Sequence, residues 1–238
     1  MEQLVFELAA PEQPRFANFL PGRNGELVAV LDRFACGNVD ETGMLIWGAM
    51  GVGKSHLLRA AVALAMERGR RAVFLDHPEA MLASAAEDMP DLVAVDRIDE
   101  ASAAATGQGF TLYNALKQRG AHFLAASRQP LAAMTLREDF RTRLGWGLVY
   151  EALTLSDEDK PAALEAYARQ RGFQLSGDVI EYLLRHGRRD MSSLLATLAA
   201  LDRQSLSMKK PITVALLRTW LQRELEWTTS KHATATGN

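Results

Sequence analysis

The sequence predicts an α/β fold, a five-stranded parallel sheet wound with helices, followed by a smaller all-helical domain. Three observations carry this. Five short apolar runs, "MLIW" (44–47), "AVFL" (72–75), "LVAV" (92–95), "HFLAA" (122–126) and "LVYEA" (148–152), lack the polar alternation of a half-exposed strand. Such runs suit strands covered on both faces, as in a parallel sheet. Helical patterns alternate with them, over 54–68 closed by Gly69 and over 110–119 closed by Gly120, each glycine standing where a helix stops. After residue 153 the strand signals end and only helical patterns remain, which separates a doubly wound layer from a helical appendage.

The elements follow in order. Residues 1–14 read as a tail around "QLVFEL", and 15–152 form the α/β domain. Residues 153–226 form the helical domain, opened by "LSDEDKPAALEAYARQRG" with its acidic start and Gly172 at its end. Pro161 there is tolerated only near a first turn, where backbone donors have no partner in the helix. "SGDVIEYLLRHG" follows, with Ser176 as cap and Gly187 as stop, then "DMSSLLATLAALDRQSL" and "TVALLRTWLQREL". Residues 227–238 are small and polar and are expected to be a disordered tail.

A chain of 238 residues with 48% hydrophobic and 24% charged residues has the composition of a globular protein. Twenty-seven basic against 29 acidic residues give a net charge of −2, without the basic footprint of most nucleic-acid binders, so little direct DNA binding is expected. Cys36 is alone and cannot make an internal disulfide, which fits a reducing compartment, with the role of a free small hydrophobe. The start has no basic region ahead of an apolar one, as a secretory signal would. "LLRAAVALAM" is broken by Arg59 and falls short of about 20 residues. A cytoplasmic protein without membrane spans is expected. The histidines show neither an i,i+4 pair nor a cysteine partner, so no zinc-type site is predicted.

"GAMGVGKS" (48–55) follows the first strand run and opens a helical one. It satisfies G-x-x-x-x-G-K-[S/T] in the context that motif requires. Gly48, Gly51, Val52 and Gly53 let backbone N–H groups curl toward phosphate oxygens beside a helix N-terminus. Lys54 is placed to reach the β and γ phosphates, Ser55 to ligate Mg²⁺, and His56 stands next in line. "LVAVDRIDE" (92–100) is a strand ending in Asp96, positioned to hold the Mg²⁺ shell. The residue after it is Arg97, a cation where hydrolytic P-loop proteins need an acid; Asp99 and Glu100 lie three and four residues on.

"RFANFLPGRN", "GAMGVGKSHLL", "LVAVDRIDE", "FRTRLGWG" and "LSDEDK…RGFQL" stand in this order over about 1–225. In order and spacing they resemble the AAA+ family of the replication initiator DnaA, and within it the truncated Hda branch. The resemblance implies an AAA+ P-loop domain with a helical lid, binding ADP or ATP with Mg²⁺. It also implies a role on the DNA polymerase III beta sliding clamp, where such proteins promote hydrolysis of DnaA-bound ATP and so inactivate the initiator. DnaA and the clamp are then the partners, with a homodimer possible. Gln3, Leu4, Phe6 and Leu8 resemble the branch's clamp-binding peptide; an amide and three alternating apolar side chains suit an extended segment in a cleft. The same alternation also serves an edge strand packed on its own domain.

Arg143 matches the family's arginine finger and Ser127 its first sensor position. Arg128 replaces an expected Asp, and Ser192 stands where a nucleotide-sensing Arg is expected, with Arg188 and Arg189 nearby. Arg97, Arg128 and Ser192 together predict weak intrinsic hydrolysis. A DnaA-like or helicase-loader ATPase gripping single-stranded DNA is the alternative. A pure adaptor, using nucleotide only to stay folded, is a third reading.

Overall fold

The computed structural model describes residues 13–83, 89–188, 190–208 and 210–223. The predicted clamp peptide, the C-terminal tail and Arg189 lie outside them, as does the side chain of Ser192. The described chain divides into two compact units. One takes Glu26–Trp47, Lys54–Glu151 and the described residues up to Phe19; the other takes Leu20–Gly25, Gly48–Gly53 and the described residues from Ala152 on. The second unit therefore gathers two short segments that a linear division at 152/153 assigns to the first.

In the α/β unit, β1 (Gly43–Trp47), β2 (Ala72–Leu75), β3 (Leu92–Val95), β4 (His122–Ser127) and β5 (Leu148–Glu151) form one sheet of order β2-β3-β4-β1-β5. Every pairing is parallel. The three central strands are covered on both faces: β3 and β4 are buried throughout, and β1 up to its half-buried Trp47. The edges depart from that expectation. β2 is half-buried along its length, and β5 alternates between half-buried and exposed residues, because an edge strand has one neighbour and thinner cover.

Helix α1 (Gly25–Ala35) and the short α4 (Glu138–Gly145) are elements that the strand and glycine signals leave unmarked. α2 (Lys54–Glu67) matches its expectation. α3 runs Ala103–Gln118, seven residues longer at its start than the predicted 110–119. Ser102 is the cap, its hydroxyl accepting the Ala105 N–H at 3.1 Å. Phe123, Phe140, Tyr113, Leu112, Leu116 and Met81 are buried together on the α3–α4 side of the sheet. In the second unit, α5 (Lys160–Gln170) carries Pro161 in its first turn, and α6 (Gly177–His186) and α7 (Met191–Met208) follow. Residues 214–223 are also helical. Leu164, Leu183, Leu194, Leu198, Leu201 and Leu217 make a separate core there. Among the described residues no helix is long and apolar enough to cross a membrane.

Asn24 closes the second unit. Its amide donates to the Leu153 carbonyl at 2.8 Å and accepts the Leu153 N–H at 2.7 Å.

His122 opens β4 at 5% exposure. Arg70 donates to its Nδ1 at 2.9 Å and also reaches the carbonyls of Ala35 (2.6 Å) and Asp91 (3.1 Å). Accepting Arg70 requires a neutral ring with its proton on Nε2, 3.4 Å from the Val39 carbonyl. Burial, the largest influence, holds the His122 pKa below its ordinary 6.5. With the folded value depressed, this contribution to stability is present above the unfolded pKa and lost as pH falls through the folded one. The urea midpoint is therefore expected to fall below about pH 6.5, with a shallower fall in His122→Gln. An identical slope in the variant would remove His122 as the cause.

Candidate nucleotide site and arginine groove

β1 ends at Trp47, residues 48–53 turn, and α2 starts at Lys54. Gly51 and Gly53 hold φ of +83° and +96°, a region closed to side chains bearing Cβ at little strain, and one that turns successive N–H groups inward. Val52 between them is half-buried.

Lys54 is 8% exposed. Its pKa is lowered, first by burial and then by Arg128, while Asp96 and Asp99 pull the other way. The Ser55 hydroxyl donates to the Asp96 carboxylate, which also accepts the Arg97 N–H at 2.8 Å. Asp96 is buried at the end of β3. A hydroxyl and a carboxylate side by side are the oxygen donors a hard cation takes, and Mg²⁺ needs no more from the protein when phosphates and water complete its shell. Among the described residues no group of three or more His, Cys, Asp or Glu is arranged to hold a metal. His56 faces the N-terminal segment: Nε2 lies 3.0 Å from the Arg15 carbonyl oxygen and the ring 5.6 Å from that of Phe19.

Of the three departures from the family pattern, Arg97 and Arg128 have described side chains. Arg97 is the one non-glycine residue with positive φ among those described, at +54°, and its guanidinium Nε donates to the Asp76 carbonyl at 3.0 Å. Arg128 lies 3.4 Å from Asp99 and 2.8 Å from Glu100. Both carboxylates that follow Asp96 are thus engaged by one cation. Ser127, paired in register with Trp47, is 1% exposed and donates its hydroxyl proton to the Gln129 carbonyl at 2.6 Å. Ser192 falls in the first turn of α7. Arg188 lies 3.4 Å from Asp190. The Asp190 pKa is lowered although burial opposes it, because Ser193 donates to the carboxylate, its N–H at 2.9 Å.

Arg143 lies apart from these groups, in the last turn of α4. It lines an open groove of about 620 Å³ with Phe110, Arg137, Glu138, Asp139, Thr142 and Trp146. Its guanidinium carbon is 4.2 Å from the Trp146 ring centre and 5.6 Å from that of Phe110. Asp139 is 2.7 Å from Arg137. Neither ring was picked out as a partner of Arg143 from sequence; the signal was the i,i+3 spacing of Arg143 and Trp146 on one helix face.

Residues 157–221 match the family model described as Hda, lid domain. Domain III of the Thermotoga maritima replication initiation protein DnaA superposes with a TM-score of 0.77 at 16% identity, over 90% of this chain and 98% of that one. AMPPCP-bound DnaA from Aquifex aeolicus gives 0.68 at 19%, over 79% of this chain and 64% of that one. A DNA replication initiation factor gives 0.67 at 19%, over 82% and 67%. This chain therefore spans about two thirds of the length of the latter two. Identities this low establish a shared fold alone: the five-stranded parallel α/β layer followed by a helical domain.

Proposed function

We propose that this chain is a DnaA-related AAA+ protein with an Hda lid, a replication regulator promoting hydrolysis of ATP held by DnaA. In this reading residues 48–56 bind ADP or ATP. Lys54 faces the β and γ phosphates, and Ser55 with Asp96 holds Mg²⁺. The cation supplies charge neutralisation at the phosphates; the chain's residues bind and orient.

The nucleotide is held more than it is turned over. Arg97 is turned to Asp76, and Arg128 engages Asp99 and Glu100, the two carboxylates that closely follow Asp96 among the described residues, which disfavours their orienting an attacking water. Chemistry is instead directed outward through Arg143, whose position in an open groove is the observation that carries the proposal. An always-charged, forked side chain suits phosphoryl oxygens held by another subunit. Gln3, Leu4, Phe6 and Leu8 anchor the protein on the sliding clamp.

The test is phosphate release from ATP-loaded DnaA mixed with this protein and DNA-loaded clamp, with clamp pull-down in parallel. The full chain is expected to bind clamp and stimulate release; a chain lacking residues 1–8 is expected to lose both. Stimulation without any clamp requirement would overturn the anchoring role. Turnover of its own ATP near 10 s⁻¹, the median of enzymes, would favour the single-stranded-DNA ATPase instead.

A further inference from the structure

The contacts of Arg143 are unusual for a guanidinium. Among the described residues it meets no carboxylate within ion-pair distance and is held by two aromatic rings. The groove's Asp139 belongs to Arg137. A ring takes up a guanidinium through its flat face, whereas the five N–H donors lie in the guanidinium plane. Aromatic support thus fixes the group without occupying its donors. A carboxylate in the same place would occupy two of them.

Trp146 is suited to this role in three further ways. It is 59% exposed, so core packing does not account for an indole there. It lies three residues after Arg143, on the same side of the helix end. The Lys117 Nζ, from the end of α3, lies 5.3 Å from the same ring, which ties the indole to a second element.

We propose that Trp146 is the positioning residue of Arg143, holding its guanidinium at the groove with its donors open to phosphoryl oxygens of a nucleotide on a partner subunit. The inference rests on the reading of Arg143 as a finger acting in trans. A cation over an indole is fixed in place yet still exchangeable, since such contacts are weak at exposed sites. Without the ring the long side chain samples many rotamers, and misplacement by about 1 Å can lower a rate by about 10²-fold.

The experiment compares Trp146→Leu, Trp146→Phe and Arg143→Ala in the phosphate-release assay with ATP-loaded DnaA and DNA-loaded clamp. For each, the maximal rate and the concentration giving half of it are read separately. Trp146→Leu is expected to lower the maximal rate about 10- to 100-fold with the half-maximal concentration unchanged, and Trp146→Phe to restore it to within about threefold, since Phe also presents a ring face. Circular dichroism and thermal midpoints near those of the parent chain would confirm folding. A raised half-maximal concentration at unchanged maximal rate would make Trp146 a docking contact and overturn the proposal. So would an unchanged rate in Trp146→Leu alongside an inactive Arg143→Ala. Full activity in Arg143→Ala would instead defeat the underlying finger reading, whatever Trp146 does.

Discussion

Arg143→Ala is expected to remove the stimulation of DnaA-bound ATP hydrolysis by about 10³–10⁵-fold, the effect of a guanidinium supplied in trans to a phosphoryl-transfer transition state. The protein itself should be little affected. Arg143 is half-exposed, lines an open groove and contributes ring contacts but no ion pair among the described residues. Truncating such a side chain changes stability by about 0.5 kcal/mol. Nucleotide affinity and clamp binding should match those of the parent chain. Arg143→Lys is expected to remain near the alanine level, because an ammonium lacks the planar fork. Full stimulation by Arg143→Ala would leave the adaptor reading standing.

Lys54→Ala is expected to weaken binding of Mg²⁺-nucleotide by about 2–5 kcal/mol, the cost of truncating one partner of a buried charge pair, or about 30- to 4,000-fold. Burial strengthens the expectation. Lys54 is 8% exposed and its pKa is lowered by desolvation, with Asp96 and Asp99 opposing and Arg128 adding to the fall, so a bound phosphate would favour its charged form. The variant should keep its fold, since Lys54 is not a member of the apolar core clusters among the described residues. Titration calorimetry with ATP and ADP checks this, and equal affinity in the variant would refute the site.

Which parts of this were readable in advance follows from range. The strands were readable because a segment covered on both faces must be apolar throughout; β3 coincides with its run, and β1 and β4 each exceed theirs by one residue. The P-loop was readable because phosphate binding needs contiguous backbone. α4 was not: eight residues carrying Glu138, Asp139, Arg141 and Arg143 bury only Phe140 and Leu144, too few for a period. The start of α3 is not legible in the sequence because the Ala, Thr, Gly and Gln at 103–109 form no apolar stripe, and the cap at Ser102 defines it instead. Asn24 with Leu153 and Arg128 with Asp99 join residues 129 and 29 apart. No local pattern announces such pairs. The engaged state of Arg97 and Arg128 was therefore visible as a departure in sequence but legible only from the fold.

The strand order also governs how the chain comes to be. β1 lies between β4 and β5, Gly43 opposite Phe123 and Met44 opposite Leu148. During synthesis at about 5–20 residues per second, an entirely apolar strand made early waits several seconds for its first neighbour and longer for its second. Parallel pairing at such separations is slow and exposes sticky edges. Between those moments the nascent protein carries an unpaired apolar edge at β1, the kind of surface on which aggregation starts and chaperones act.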